Sequence, residues 1–388
     1  MSAPAMGLAW DPLHLEYDFG PGHPFAMAHR ALAVDLLRAV PGASEWIREI
    51  GPLPVADDRL LLRFHEPEYL RTVRTAAGLL RGATCLDEGD TPAFPGCDRA
   101  AARIVAGTVE AMRAVLHDGI PAFHPAGGLH HAHAGRASGF CIFNDVVLAI
   151  LTALDEVDRV AYIDLDAHHG DGVMEAFYDT ARVLDVDLHQ DGRTLFPGTG
   201  MVEDTGRGDG AGYTINLPLP PGAGDRALTG LVRRVVVPLL DEYRPDAIVV
   251  QHGVDGHAGD PLAGLAYTAA GYAVALREIR FAARRLCRGR LLLTGGGGYH
   301  AVHVALLLAR AGALLATDAL PGGPLPEPWR RHFTSTTGHD DAPRRWEPDP
   351  APGGPERWSR DAEEALVAGL SAALGRRFPG EGYGSTAP

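Results

Sequence analysis

The chain has 388 residues and a hydrophobic fraction of 46%, which suits a single globular α/β unit with a large core. Its formal net charge of −14 argues against general nucleic-acid binding, because a nucleic-acid partner requires a basic face. The cysteines form no C-x-x-C pair, residues 1–10 lack the features of a signal peptide, and no apolar stretch is long enough to span a bilayer. We therefore expect a cytoplasmic protein that associates with neither nucleic acid nor membrane, while the oligomeric state stays open.

Apolar runs alternate with amphipathic segments, which predicts a parallel sheet with helices on both faces. The predicted strands are 7–10, 120–124, 160–165, 182–188, 213–217, 246–251 and 290–294. The predicted helices are 27–39, 98–117, 144–156, 225–243, 268–287 and 300–316, with Asp98 and Asn144 as N-caps. Residues 320–357 are rich in Pro, Gly, Arg and Asp, which predicts an irregular surface segment before a helix over 361–374 and a tail over 376–388.

The first segment that suggests chemistry follows the predicted strand 120–124. Gly127 and Gly128 precede the adjacent histidines His130 and His131. Such a histidine pair more often binds a metal or lies on the surface than catalyses a reaction. Carboxylates that could orient the two imidazoles would favour a catalytic role.

Residues 160–163 form an apolar run that leads into three aspartates and two histidines: Asp164, Asp166, His168, His169 and Asp171. Crowded buried carboxylates repel one another unless a cation lies among them. Alternate residues of an extended segment point the same way, so Asp166 and His168 could bind one ion with Asp164 behind them. Carboxylate oxygen and imidazole nitrogen suit a divalent ion such as zinc. A solvated loop after a strand is the simpler alternative.

A third metal ligand must come from elsewhere in the chain. The segment after the predicted strand 246–251 contains Asp255, His257 and Asp260. Ligands at the carboxyl ends of parallel strands converge in one crevice, so we predict Asp255 as the third ligand. His257 and Asp260 remain competitors, and Asp260, which precedes a proline, could equally be a turn residue.

The predicted strand 290–294 ends in four glycines, residues 295–298, followed by Tyr299. A glycine-rich turn alone could bind phosphate or merely permit close packing. Together with the other clusters, it predicts a loop that presents Tyr299 as a hydrogen-bond donor to an oxyanion.

These segments resemble the histone deacetylase family, on the arginase/deacetylase fold, and within it the bacterial acetoin-utilisation branch. Eight matching pieces occur in family order over about residues 10–320: 17–24, 90–96, 127–131, 138–145, 162–171, 195–200, 255–261 and 295–299. The resemblance implies one α/β domain with a central parallel sheet and helices on both faces. Residues 1–320 would form the deacetylase catalytic domain, and residues 321–388 a surface segment and C-terminal helix packed on it.

The resemblance implies a metal-dependent hydrolase that converts acetyl-lysine in proteins or peptides to acetate and the free amine. The ion would be Zn²⁺, with Fe²⁺ as an alternative, and its ligands would be Asp166, His168 and Asp255. The matching catalytic residues are His130 with Asp164 behind it, His131 with Asp171 behind it, and Tyr299. The substrate-binding residues that match are Asp90 at the mouth of a tunnel, Gly139, Phe140 and Phe196 along it, and Leu262 at its rim. Arg30 matches an arginine behind the site, although residues 26–29 depart from the family pattern.

Two monovalent-cation sites for K⁺ or Na⁺ are also implied by the resemblance. The inner site would use Asp164, Asp166, His168, Asp187 and Leu188. The outer site would use main-chain oxygens of Phe177, Thr180, Val183 and Tyr213. Asp187 stands where the family usually has a serine, which predicts either tighter binding of the inner ion or pairing of the carboxylate with Arg182 or Arg193.

Other functions remain open at the level of sequence. Acetylated polyamines or other small amides are alternative substrates, and a non-catalytic acyl-lysine binder would be expected to lack a ligand, a histidine or the tyrosine. A ureohydrolase with two manganese ions favours Asp-x-His-x-Asp, whereas Gly170 here delays the last aspartate to Asp171. A nucleotide-binding protein would need a G-x-G-x-x-G context with a distal acidic residue, which residues 295–298 lack.

Overall fold

A computed structural model describes residues 5–87, 89–340, 342–347, 357–376 and 378. Its centre is a sheet of eight strands that pair in parallel. In chain order the strands are β1 (Met6–Ala9), β2 (Ile47–Ile50), β3 (Ala122–His124), β4 (Val160–Asp164), β5 (Val183–Gln190), β6 (Thr214–Leu219), β7 (Ala247–Gln251) and β8 (Leu291–Thr294). Their spatial order is β2-β1-β3-β8-β7-β4-β5-β6.

Helices cover the sheet. The helices in the first half of the chain are α1 (Met27–Arg38), α2 (Ala43–Trp46), α3 (Asp58–Leu61), α4 (Pro67–Ala77), α5 (Cys97–Asp118), α6 (Asp145–Ala153) and α7 (Asp171–Phe177). Those in the second half are α8 (Asp225–Leu231), α9 (Val237–Tyr243), α10 (Ala269–Cys287), α11 (Ala301–Thr317), α12 (Glu327–Thr337) and α13 (Arg360–Leu374). No helix of the described residues is long and apolar enough to cross a membrane.

The central strands are apolar on both faces, as expected for strands covered by helices on each side. Every residue of β4, β7 and β8 is buried. Two hydrophobic clusters result. One contains Leu291 and Leu293 of β8, and the other contains Leu292 of the same strand, because successive side chains point to opposite faces.

All seven predicted strands are present within two residues of their expected ends. The strand β2 was missed, because it is a short, partly exposed edge strand without a clear apolar alternation. The predicted helix 225–243 is α8 and α9 joined through a π-helical turn at Val232–Val236. Asn144 caps α6 as predicted, since its side chain accepts from the Val147 amide.

Two local predictions were wrong. Asp98 is not an N-cap: α5 begins at Cys97, and its N-cap is Gly96, whose φ of 77° favours glycine, so Asp98 lies within the first turn of the helix. The segment 320–357 is not irregular throughout, because it contains α12, while residues 348–356 lie outside the described part of the chain. Of the predicted tail, the structure describes Arg376 and Phe378.

The C-terminal helices pack on the main core. Trp329 and Phe333 of α12 belong to the larger hydrophobic cluster, and so do Val367 and Leu370 of α13. Both helices therefore bury apolar side chains against the unit that carries the sheet. A division of the chain at residue 320 remains a proposal.

Candidate active site and metal centre

Three predicted ligands meet at the carboxyl ends of β4 and β7. One ligand atom from each of Asp166, His168 and Asp255 lies within 4.8 Å of the others, and all three residues are buried. His168 Nδ1 is 2.8 Å from Asp255 Oδ2 and 3.2 Å from Asp166 Oδ1. Among the residues that the structure describes, this is the one group of three or more His, Cys, Asp or Glu side chains that converges so closely.

The donor set fits a divalent ion such as zinc. It offers two carboxylates and one imidazole in a buried position, and the carboxylates need a compensating positive charge. Burial and the charge of Asp166 raise the pKa of Asp255 to about 7. Burial alone would lower the pKa of His168, but Asp166 and Asp255 raise it to about 10. Both raised pKa values mean that the two crowded carboxylates favour positive charge, either a proton or a cation, in their midst.

Backbone amides orient the two carboxylates. The Ala167 amide donates to Asp255 Oδ1 at 2.8 Å, and the Gly297 amide donates to Asp166 Oδ2 at 2.6 Å. A Cβ atom at Gly297 would lie 2.0 Å from Asp255 Oδ2, so no larger residue fits there. The glycine turn after β8 is thus used for close packing on the predicted ligands, which disfavours its use as a phosphate loop.

Each of the tandem histidines has its own carboxylate. His130 Nδ1 is 2.8 Å from Asp164 Oδ2, and His131 Nδ1 is 2.7 Å from Asp171 Oδ1. The two Nε2 atoms are 3.0 Å apart. Asp164 also accepts from the Tyr162 hydroxyl at 2.5 Å. These pairings are the ones implied by the resemblance.

The environments drive the pKa values of the two imidazoles apart. Burial lowers the pKa of His130, but the charges of Asp164 and Asp166 outweigh burial and raise it to about 10. Burial and the neighbouring charge of His130 lower the pKa of His131 to about 4. At neutral pH His131 is therefore the unprotonated member of the pair, and His130 the protonated one.

The start of α6 holds the histidine loop in place. Asp145 accepts from the Leu129 amide at 2.7 Å and from the Gly128 amide at 2.9 Å. The Asn144 side chain donates to the His130 carbonyl at 3.1 Å. Asn144 was predicted only as a helix cap, and nothing in its spacing pointed to this second contact.

Asp260 is not a ligand in this arrangement; it links two loops of the site. Its Oδ2 accepts from the Tyr299 amide at 2.9 Å, and its Oδ1 accepts from the Leu262 amide at 3.0 Å. The other competitor, His257, instead packs against His303 in a tilted arrangement with ring centroids 4.0 Å apart. Both residues lie outside the converging group of ligand atoms.

Tyr299 faces the predicted ligands. Its ring centroid lies 6.1 Å from that of His168 and 6.0 Å from that of Phe140. Burial, with the charges of Asp255 and Asp166, raises the pKa of Tyr299 well above its usual value. The phenol therefore stays protonated at neutral pH and is able to donate a hydrogen bond. Behind the glycine turn, the fully buried Arg30 donates to the Gly296 carbonyl.

The predicted tunnel residues surround the approach to the histidines. Phe196 packs edge-on against His131 with ring centroids 5.1 Å apart, and it is 43% exposed. A Cβ atom at Gly139 would lie 2.4 Å from the His131 ring, and its φ of 52° also favours glycine. Asp90, Gly139 and Phe196 line a cavity of about 250 Å³, and Leu262, 38% exposed, lies on a neighbouring loop.

Asp90 sits on a loop ordered by its neighbour Asp87, whose Oδ1 accepts from the Asp90 and Thr91 amides at 3.1 and 3.0 Å. Burial and the adjacent Asp87 raise the pKa of Asp90 to about 7. Its charge therefore changes within the neutral pH range.

Asp187 pairs with neither of the arginines considered from the sequence, so that prediction was wrong. Arg182 donates to the carbonyls of Leu154 and Val157, and Arg193 pairs with Asp191. Leu188 is buried in β5 beside Asp187.

The residues predicted for the outer cation site lie around the start of β5. Phe177 ends α7, Thr180 follows it, Val183 begins β5, and Tyr213 precedes β6.

His133 joins the site although the sequence assigned it no role. Its Nε2 is 3.1 Å from Asp171 Oδ2, so Asp171 contacts both His131 and His133. On its other side His133 Nδ1 contacts the carboxylate of Glu175 in α7. The proximity of His133 to His131 along the chain was the only available signal, because Glu175 is distant in sequence.

A parallel α/β sheet with a buried Asp–His–Asp group beside two His–Asp pairs defines an arginase/deacetylase fold with a candidate metal centre. A model of the histone deacetylase domain matches residues 23–314, more than half of the chain, so this protein belongs to the histone deacetylase family. The family supports a deacetylase and therefore a hydrolase.

Individual relatives agree with this assignment. The chain is 35% identical over 333 residues to the acetoin utilization protein AcuC of Bacillus subtilis (strain 168). The aligned residues cover 82% of this chain and 84% of that protein. It is 38% identical over 308 residues to histone deacetylase 19 of Arabidopsis thaliana, with 76% of this chain and 59% of that protein covered. It is 33% identical over 338 residues to a probable deacetylase of Archaeoglobus fulgidus, with 84% and 92% covered.

Proposed function

We propose that this protein is a zinc-dependent deacetylase that hydrolyses the amide of acetyl-lysine in proteins or peptides to acetate and the free amine. The observation that carries the proposal is the buried Asp166–His168–Asp255 group beside the two hydrogen-bonded pairs His130–Asp164 and His131–Asp171. These three residues would hold the divalent ion, with Fe²⁺ as an alternative to Zn²⁺. When bound, such an ion supplies Lewis acidity to the amide carbonyl and acidity to a water.

The protein's own residues would divide the proton transfers. His131 is unprotonated at neutral pH, and so its Nε2 would accept the proton of the attacking water, while Asp171 fixes Nδ1. One of the tandem histidines would then protonate the leaving nitrogen, and His130 already carries a proton. Tyr299 would donate its hydroxyl hydrogen to the oxyanion that develops on the former carbonyl.

The mouth would select a slender substrate. Gly139, Phe140 and Phe196 would enclose the uncharged acyl-amine stem, and Leu262 would contact it at the rim. Asp90 would accept hydrogen bonds from the part of the substrate that stays outside. K⁺ or Na⁺ would occupy the inner and outer monovalent sites described above.

The decisive experiment measures acetate release from acetyl-lysine peptides and from small acetylated amines by the purified protein, with the bound metal determined on the same sample. We expect turnover of the peptides, together with about one divalent ion per chain. Turnover confined to the small amines would replace acetyl-lysine as the substrate. Absence of turnover on both, with the ion present, would contradict the proposed hydrolysis.

A further inference from the structure

Strand β5 carries polar side chains toward the site. Asp185, Asp187 and His189 alternate along it, so they share one face of the sheet. All three are nearly or fully buried, with exposed fractions of 4%, 2% and 0%. Buried polar groups require hydrogen-bond partners, and so the structural role of Asp187 and His189 can be inferred from the partners that they have.

The hydrogen bonds of this pair fix its net charge. His189 Nε2 is 2.9 Å from the Gly200 carbonyl oxygen, which can only accept, so Nε2 carries a hydrogen. His189 Nδ1 is 2.7 Å from Asp187 Oδ1, and one proton must lie between these two atoms, because two bare acceptors would repel at that distance. Whichever atom holds that proton, the pair has no net charge.

The second oxygen of Asp187 is also satisfied by the protein. Asp187 Oδ2 accepts from the Gly170 amide at 2.7 Å. A Cβ atom at Gly170 would lie within 3.4 Å of both Asp187 Oδ2 and Asp164 Oδ2, so these carboxylates face the same small space. A net-neutral pair at this position adds no charge to that space.

The pair supports the loop that carries Phe196. Gly200 lies near the end of this loop, and a Cβ atom at Gly200 would be 2.6 Å from His189 Nε2 and 2.7 Å from the His169 ring. His169 packs against His189 in a tilted arrangement with ring centroids 4.8 Å apart, and its Nδ1 is 2.8 Å from the Thr199 hydroxyl. The loop therefore rests directly on two imidazoles, one of which is held by Asp187.

We propose that Asp187 and His189 form a net-neutral pair that anchors the tunnel-wall loop 195–200, and that Asp187 is a positioning residue for Phe196 rather than an added charge at the inner cation site. The effect of the anchor on substrate binding rests on the proposed function. The anchoring itself can be tested without turnover.

The test compares Asp187→Ala, Asp187→Ser and Asp187→Asn with wild type. Asparagine keeps an acceptor for the Gly170 amide and a donor for His189 Nδ1, so it should preserve the anchor without a carboxylate. Alanine removes both bonds, and serine is too short to make both. Asp185→Asn is the matched control, because Asp185 lies on the same face and its Oδ1 has no hydrogen-bond partner among the described residues.

The first readout is limited trypsin cleavage after Arg193, which precedes the loop and whose side chain is 77% exposed. We expect faster cleavage in Asp187→Ala, an intermediate rate in Asp187→Ser, and wild-type rates in Asp187→Asn and Asp185→Asn. Equal cleavage rates in wild type, Asp187→Ser and Asp187→Ala would overturn the anchoring role. The serine variant alone suffices for this comparison if the alanine variant does not fold.

The second readout is kinetic. We expect KM for an acetyl-lysine peptide to rise about five- to tenfold in Asp187→Ala, because the loop loses its anchor, and to recover in Asp187→Asn. The potassium concentration for half-maximal activity should be the same in all variants. A potassium midpoint that shifts in Asp187→Asn, which keeps the anchor but lacks the carboxylate, would assign Asp187 to the ion instead. If the wild type shows no deacetylation, the proposed function fails, and trypsin cleavage still decides the anchor.

Discussion

The buried ligand group at the floor of the site and the exposed residues at its mouth are built in different ways. On the floor, Asp166 and Asp255 are fully buried, and backbone amides hold their oxygens in place. At the mouth, Phe196 and Leu262 are 43% and 38% exposed and lie on loops. We therefore expect a change on the floor to alter the ion or the chemical step, and a change at the mouth to alter which substrate binds.

The largest effect should come from removing a floor ligand. Asp255→Ala should lose the bound ion, and activity should fall by more than the roughly 10–100-fold that loss of an outer-shell partner costs. Metal content and peptide deacetylation measured on the same preparation check this. A variant that retained a stoichiometric ion and full turnover would remove Asp255 from the ligand set.

The second-largest effect should come from Tyr299, whose loss should slow the chemical step without releasing the ion. Tyr299→Phe should keep its metal and its substrate affinity, while kcat falls about 10²–10³-fold, because one donor to the oxyanion is lost. The measurement is steady-state kinetics with metal analysis. Turnover close to wild type would mean that Tyr299 only packs on the glycine turn.

A link between floor and mouth predicts a smaller effect. Asp260→Ala removes the acceptor for the Tyr299 and Leu262 amides, so kcat should fall about 10–100-fold, the cost of a hydrogen bond to a charged group. Asp260→Asn should lose less, because it retains one acceptor oxygen. The ion should stay bound in both variants, and loss of the ion would instead place Asp260 among the ligands.

At the mouth, Asp90→Ala should raise KM for acetyl-lysine peptides about tenfold and leave kcat nearly unchanged, because it removes hydrogen bonds made outside the tunnel. Small acetylated amines, which do not reach the rim, should be hydrolysed as well as by wild type. An unchanged KM for peptides would show that this carboxylate does not grip the substrate.

The smallest effect is a pH dependence at the mouth. The pKa of Asp90 is raised to about 7, so its carboxylate is ionised above that pH and becomes protonated as the pH falls. The protonated form is a weaker acceptor, and KM for peptides should therefore rise by up to roughly fivefold between about pH 8 and pH 6, because protonation costs no more than the roughly tenfold expected for Asp90→Ala. Asp90→Asn should lose this dependence, and a KM profile identical to wild type would contradict the assignment.

Much of the floor could be predicted from the order of residues along the chain. An apolar run such as 160–163 predicts a buried strand, and polar residues directly after it must lie at the strand end, because the side-chain period of an extended segment is two. Asp166 and His168 were predictable for this reason, and parallel strands explain why a ligand after β7 reaches them. Short elements such as β2 and α7 were not predicted, because so few residues show too little hydrophobic periodicity.

The pairings between distant segments could not be predicted in this way and became visible in the folded chain. Asp255, His257 and Asp260 are all chemically suitable, and the converging position of Asp255 was settled by how the turn after β7 packs on Gly297. Nothing local indicated that Asp260 would accept from the Tyr299 amide, or that Asp187 would accept from the Gly170 amide instead of pairing with an arginine. Chain periodicity fixes which way a side chain points, but its partner depends on which other segment the fold brings opposite to it.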